Sequence, residues 1–196
     1  MELVWGPWLA TGGEGARPAP ADDALLMARY AGGDMGAFDQ LYRRHRNPLY
    51  RYVSRLTSSR ADADEVFQEV WMAVIKGRER YTPTAHFAAY LFSIAHRRVA
   101  DRTRQGLRRP CGEMPEDVRD EASGPLAQAE NMALGAALTA AVNALPMEQR
   151  AAFLLRAEGD LSIEEIASVT GVPFETAKSR LRAANRALRE KLDAWK

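Results

Sequence analysis

Residues 161–192 read LSIEEIASVTGVPFETAKSRLRAANRALREKL, a pattern typical of two helices joined by a tight turn. Ser162 and Glu165 have the spacing of a capping box, which predicts a helix that begins directly after Ser162. Ala167 is small enough to let two helices approach closely, and Gly171 supplies the backbone freedom that the turn requires. Three apolar residues are expected to hold the second helix against the first: Val172, Ala177 and Leu181. The segment is therefore predicted to be a helix-turn-helix, whose second helix enters the major groove of DNA.

The outward face of that second helix carries a mixture of side chains suited to DNA. Arginine and lysine contact phosphates or guanine edges, while serine, threonine and glutamate meet base edges. The candidate DNA-binding residues are Phe174, Glu175, Thr176, Lys178, Ser179, Arg180 and Arg182. The alternative at this point is a helical hairpin with a solvated basic face.

Apolar residues elsewhere in the chain recur at helical spacing, and no stretch alternates in the way that predicts a strand. Asp22 or Asp23 is expected to cap a first helix, which breaks at Gly32 and Gly33. Further helices are predicted over residues 37–56, 63–76, 87–104 and 132–145, then from Pro146 to near Gly159, and last from about Pro173 to Leu192. The expected fold is therefore all-α.

Two stretches lose this periodicity and are rich in Gly and Pro. Residues 1–21 are expected to form a flexible tail, and residues 106–131 a flexible, partly acidic linker. The linker separates two small helical domains, residues 22–105 and residues 132–196, and the second contains the helix-turn-helix.

The helix predicted over residues 63–76 has an apolar side and a compact polar side. At about 100° per residue, the polar side brings together a set that we call the acidic arc: Asp64, Glu65, Gln68 and Glu69. Such an arc is either a solvated surface or a docking face for another protein.

The chain has 27 basic and 26 acidic residues, and a net charge of +1 does not by itself indicate a nucleic-acid-binding protein. The basic residues are clustered, however, over residues 96–109 and from Lys178 onward, on either side of an acidic stretch. With Cys111 as the single cysteine, no intramolecular disulfide can form, so a cytoplasmic location is expected. No apolar run is long enough to span a bilayer, and direct membrane insertion is not expected.

The sequence contains no glycine-rich phosphate loop, nucleophile elbow or paired-carboxylate motif. His45, His86 and His96 are scattered, and one cysteine does not complete a ligand set with them. We therefore expect no enzymatic activity, no small-molecule substrate, no metal and no other cofactor.

Residues 144–192 resemble the promoter-binding region 4 of extracytoplasmic-function (ECF) sigma factors of the sigma-70 family. The resemblance rests on LP..QR..F, S..EIA...G and T.KSRL, in that order. The N-terminal half is similar to the other domain of the same family through three segments: LLMARYAGGDMGAFDQLYRRHRNPLYRYVSRL (25–56), DADEVFQEVWMAVIK (62–76) and FAAYLFSIAHRRVADRTR (87–104). Two matches in the correct order, joined by a variable linker, are more specific than either alone.

This resemblance implies a sigma factor that binds core RNA polymerase and directs promoter recognition and transcription initiation. The C-terminal domain would bind the minus-thirty-five element, and the acidic arc would meet the clamp helices of the largest (beta-prime) subunit, with the beta flap as a further contact. An anti-sigma factor is implied as a regulatory partner.

The resemblance also places the minus-ten element of the promoter on the N-terminal domain. Aromatic side chains there would stack a base and arginines would hold phosphate. The residues carried over are Arg80, Tyr81, His86, Phe87, Tyr90, His96, Arg97 and Arg98. Three of them depart from the family pattern: Tyr90 stands where a Trp is usual, His96 where an Arg is usual and Arg97 where an Asn is frequent.

Two alternatives remain at this stage. A helix-turn-helix regulator acting without polymerase would explain the second domain but leave the first without a role. A sigma-like decoy that sequesters an anti-sigma factor need not bind DNA, so its basic helix should be eroded and a receiver domain attached, and neither is seen.

Overall fold

The computed structural model describes residues 20–81, 86–106 and 135–193. Residues 1–19 of the predicted tail and residues 107–131 of the predicted linker lie outside these ranges. Among the described residues, every regular element is helical and no strand occurs, which confirms the all-α prediction. The helices are α1 (Pro20–Ala31), α2 (Met35–Ser54), α3 (Arg60–Gly77), a 3₁₀ turn (Arg78–Arg80), α4 (Phe87–Gly106), α5 (residues 135–143), α6 (Met147–Gly159), α7 (Ile163–Thr170) and α8 (Phe174–Asp193).

Helix α1 begins at Pro20, before both candidate caps, so the predicted cap at Asp22 or Asp23 is wrong. Asp22 and Asp23 lie in the first turn and bind α2 instead. Asp22 is 2.8 Å from a guanidinium nitrogen of Arg44, and Asp23 contacts Arg44 and lies 2.7 Å from Nε2 of His45. Burial raises the pKa of Asp23, but the hydrogen bonds and charges of His45 and Arg44 outweigh it and leave that pKa below its usual value.

The starts of α2 and α3 are fixed by short polar side chains. Asp34 caps α2, and its carboxylate accepts hydrogen bonds from the backbone N–H groups of Gly36 and Ala37. At α3 the cap is Ser59, whose hydroxyl accepts from the N–H of Asp62. The helix predicted over residues 63–76 therefore starts three residues earlier than expected, at Arg60.

The helix-turn-helix forms as its sequence predicts. The Ser162 hydroxyl accepts from the N–H of Glu165 at 3.2 Å, and the Glu165 carboxylate accepts from the N–H of Ser162 at 2.8 Å. Gly171 ends α7 in the left-handed conformation, with φ at 69°, which costs glycine little because it has no Cβ. Both the capping box and the glycine turn are confirmed.

Replacing Ser162 with Ala should remove one half of the capping box. We expect the free energy of unfolding to fall by about 1 kcal/mol, because the backbone N–H of Glu165 at the start of α7 loses its acceptor. Urea denaturation followed by circular dichroism measures the change. Ser168→Ala, at an exposed position within α7, is the matched control and should change stability by less than about 0.5 kcal/mol; equal losses in both variants would contradict the role of the cap.

The two halves of the chain pack against each other, which nothing in the sequence predicted. Helix α2 packs on α6, and α4 packs on both α6 and α7. Buried side chains of both halves belong to one continuous core, in which Phe92 of α4 and Leu155 of α6 are fully buried. The two predicted domains, residues 22–105 and 132–196, therefore share one hydrophobic core in this structure.

Candidate promoter and polymerase interface

Helix α8, the predicted recognition helix, has one buried face and one exposed face. Ala177, Ala184 and Leu188 are buried against α6 and α7. On the opposite side, about 180° around the helix, the exposed residues are Glu175, Ser179, Arg182 and Arg186. Three of these four side chains carry hydrogen-bond donors, which suit base edges and phosphates: Ser179, Arg182 and Arg186.

The other predicted residues of α8 lie at its start or on its flanks. Phe174 is 38% exposed, and the Lys178 ammonium lies 5.4 Å from the centre of its ring and 3.3 Å from the Glu175 carboxylate. Lys178 is half-buried rather than outward, so its predicted orientation is only partly right. Thr176 and Arg180 are also half-buried. Arg186 was not among the predicted site residues, although its position four residues after Arg182 places it on the same face.

The aromatic residues expected to stack a base have different environments. Phe87 is 1% exposed and packs against the rings of His45 and Tyr81, so in this arrangement it is a core residue with no face for a base. Tyr81 and Tyr90 are half-exposed, with ring centres 5.2 Å apart. Of the three aromatic residues predicted to stack a base, these two tyrosines have ring surface open to solvent. The Tyr90 hydroxyl also constrains Gly77, where an added Cβ would lie 2.8 Å from it.

Three arginines predicted to hold phosphate are exposed: Arg80, Arg97 and Arg98. The two histidines of the same set are engaged within the protein. His86 Nδ1 lies 2.6 Å from the Glu165 carboxylate, and His96 Nδ1 lies 2.9 Å from the Tyr52 hydroxyl. Burial, and then the nearby Arg180 guanidinium, lower the pKa of His96. The lowered pKa favours the uncharged imidazole at neutral pH, so in this arrangement His96 is not a cationic phosphate ligand.

The acidic arc is present on α3 and is bordered by arginines of α4. Arg102 contacts the carboxylate of Glu65 and lies 3.4 Å from that of Glu69, and Arg98 lies 3.6 Å from Glu69. Glu65 and Gln68 are exposed at the surface.

At the other edge of the arc, the Tyr50 hydroxyl donates a 2.8 Å hydrogen bond to Asp64. Burial of the Tyr50 hydroxyl and its bond to Asp64 raise the pKa of Tyr50, so the hydroxyl keeps its proton. The α4 arginines and Tyr50 orient the carboxylates of the arc without covering Gln68. No sequence pattern indicated these pairs, since they join helices.

A family model described as Sigma-70 region 2 matches residues 41–109, and one described as Sigma-70, region 4 matches residues 135–188. ECF RNA polymerase sigma factor SigE of Mycolicibacterium smegmatis is 33% identical over 180 residues, which cover 88% of this chain and 70% of SigE. This chain belongs to the ECF sigma factor family. The predicted family is confirmed: the region 4 match runs from α5 into α8, and the region 2 match begins within α2 and includes α3 and α4.

Another relative supports this assignment, and two solved structures share the fold. SigM of Mycobacterium tuberculosis, also an ECF sigma factor, is 36% identical over 163 residues, covering 83% of this sigma factor and 80% of SigM. The fold is similar to that of CnrH, solved in complex with the cytosolic domain of CnrY, at a TM-score of 0.63 and 25% identity over 88% of this chain and 98% of that one. It is also similar to that of RpoE of Bartonella quintana, solved with the anti-sigma factor NepR, at a TM-score of 0.64 and 22% identity. That likeness covers 80% of this chain and 96% of RpoE.

Within the described ranges, no helix is long and apolar enough to cross a membrane. The same residues contain no group of three or more His, Cys, Asp or Glu side chains arranged to hold a metal ion.

Proposed function

We propose that this ECF sigma factor binds core RNA polymerase through the acidic arc of α3 and brings it to promoters through α4 and α8. Region 2 would grip the melted minus-ten strand with Tyr81, Tyr90 and the exposed arginines of α4, and region 4 would place α8 in the major groove of the minus-thirty-five element. The chain contributes binding and specificity, and the polymerase carries out the chemistry. Such a protein acts in the cytoplasm, beside the polymerase and the chromosome.

The observation that carries this proposal is the exposed face of α8. Its buried residues lie on the opposite side, so Arg182 and Arg186 project into solvent from a helix-turn-helix whose turn and cap are formed. Guanidinium groups in that position suit both guanine edges and phosphates. An intact basic face also argues against the decoy alternative, which predicts that this face is eroded.

A regulator that acts without polymerase is the other alternative, and it leaves region 2 unexplained. The acidic arc is unsuited to DNA, because carboxylates repel phosphates. It suits a basic protein surface, as polymerase docking requires.

Run-off transcription tests the proposed function. Core polymerase is incubated with and without this protein on templates that include the region upstream of its own gene. We expect discrete transcripts only when the protein is present, because core polymerase by itself lacks promoter selectivity. If the protein instead binds specific sites on the same DNA but gives no transcript when core polymerase is added, the result would support a regulator that acts alone.

We further propose that an anti-sigma factor controls this protein. CnrH was solved in complex with the cytosolic domain of CnrY, and this chain covers 98% of CnrH. A protein partner that covers the acidic arc would compete directly with core polymerase for the same carboxylates.

A further inference from the structure

We propose that Gly77 is a positioning residue for the two tyrosines that would stack a base, Tyr81 and Tyr90. The space left by the missing side chain of Gly77 holds the Tyr90 hydroxyl and thereby sets the angle between the two rings. The ring angle is a property of the free protein, whereas its consequence at the minus-ten element rests on the proposed function.

The backbone of Gly77 does not require a glycine. Gly77 is the last residue of α3, and its φ of −86° and ψ of −3° are right-handed values that residues with a side chain also adopt. Among the described glycines, only Gly33 and Gly171 have a positive φ. Glycine is less favourable than alanine at a helical position, because it loses more backbone freedom on folding. The reason for a glycine at this position is therefore the space that it leaves, and not its conformation.

That space is occupied by a single atom of α4. A Cβ added to Gly77 would lie 2.8 Å from the Tyr90 hydroxyl oxygen, which is closer than van der Waals contact allows. Apart from the chain neighbours and the backbone of α3 itself, no other atom of the described residues lies within 4 Å of that Cβ. The hydroxyl is the far end of a side chain, so a methyl group at position 77 would turn the Tyr90 ring and leave α3 and α4 in place.

The other contacts of the Tyr90 ring fix the surface that it offers to a base. Its centre lies 5.2 Å from that of Tyr81, with the ring planes at 66°, and 6.3 Å from that of Phe87, at 50°. Phe87 is buried, whereas both tyrosines are half-exposed. A base stacks on the face of an aromatic ring, so a turn of Tyr90 changes both its angle to Tyr81 and the face that a base can meet.

Solution NMR of protein with ¹³C-labelled tyrosine rings tests the packing in the free chain. The chain has six tyrosines, and the resonances lost in Tyr90→Phe identify those of Tyr90. We expect Gly77→Ala to shift the ring resonances of Tyr81 and Tyr90, because ring currents depend on the distance and angle between rings, and to leave those of the fully buried Tyr52 unchanged. Gly32→Ala is the matched control, since its added Cβ would make only ordinary contacts, at 3.4 Å and beyond. Unmoved Tyr81 and Tyr90 resonances in Gly77→Ala would overturn the proposal.

A double-mutant cycle in the holoenzyme tests the consequence at the promoter. The probe is a fork-junction DNA whose minus-ten non-template strand is single-stranded, taken from the promoter that run-off transcription identifies. We expect Gly77→Ala to weaken its binding by at least about fivefold, because part of the stacking on Tyr90 is lost. In the Tyr90→Phe background the hydroxyl that the added Cβ would meet is absent, so the same substitution should weaken binding by less than about twofold.

The cycle separates positioning from a purely structural role of the glycine. If Gly77 acts only through the backbone of α3, Gly77→Ala should weaken binding equally with and without the Tyr90 hydroxyl, and that result would overturn the proposal. Circular dichroism of each variant should show unchanged helix content, because the clash involves the end of one side chain.

The two experiments also distinguish failure of the proposal from failure of the proposed function. If the parent protein gives no discrete transcript, the proposed function fails, and the NMR series still decides whether Gly77 holds the Tyr90 ring. If the ring resonances move but Gly77→Ala and Gly32→Ala bind the fork-junction DNA equally, the ring angle does not set stacking, and the role of Gly77 at the promoter is overturned.

Discussion

Replacing Gln68 and Glu69 together with Lys is expected to abolish binding to core RNA polymerase. The substitution reverses the charge of the acidic arc where Gln68 is exposed at its centre, and like charges facing each other across an interface cost several kcal/mol. We therefore expect the affinity for core polymerase to fall by at least about 100-fold. Fluorescence-anisotropy titration of labelled protein with core polymerase measures the loss.

Two further variants separate docking from folding. Glu69→Lys places a third cation beside Arg98 and Arg102, so Gln68→Lys alone is made as well, because it leaves those ion pairs intact. Asp39→Lys, at an exposed site of α2 in the same region, is the matched charge reversal outside the arc. We expect a graded loss for the arc variants and none for Asp39→Lys, with unchanged circular dichroism throughout. Unaltered polymerase affinity in the double variant, with its helices folded, would remove α3 from the docking role.

Replacing Arg182 with Ala is expected to weaken binding of the minus-thirty-five element by about 1–3 kcal/mol, or roughly 5- to 150-fold. Arg182 lies on the exposed face of α8, opposite Ala177 and Ala184. If its guanidinium binds a guanine by two hydrogen bonds, the loss should be concentrated at one base pair. Holoenzyme binding to a series of promoter variants, at two salt concentrations, measures both the loss and its position.

Lys178→Ala gives the contrasting result for a phosphate contact. Lys178 lies against Phe174 and Glu175 on the flank of α8, so its loss should weaken all sequences alike and reduce the dependence on salt. Arg43→Ala, an exposed arginine of α2, is the matched control and should leave minus-thirty-five binding unchanged. If neither α8 variant alters affinity or selectivity for the minus-thirty-five element, and promoter opening stays normal, then α8 is not the recognition helix.

The correct sequence predictions concern features that depend on a few neighbouring residues. The capping box of Ser162 and Glu165 and the turn at Gly171 each involve contacts within one helical turn, so the residue types suffice to predict them. The polar side of α3 and the buried side of α8 follow from helical periodicity in the same way. The predicted cap at Asp22 or Asp23 failed because a side chain that can cap a helix can equally bind a partner elsewhere in the chain, here Arg44 and His45.

The sequence by itself determined the all-α fold of the described residues, the helix-turn-helix of α7 and α8, and the likeness to the two regions of an ECF sigma factor. Only the tertiary structure showed that Phe87 is buried, that His96 is held neutral beside Tyr52, and that Arg51 pairs with Glu158, 107 residues away. The physical reason is the range of the forces involved. Capping and periodicity act within about one or two turns of helix, whereas burial and ion pairing depend on which helices meet, and that is decided by the packing of the whole core.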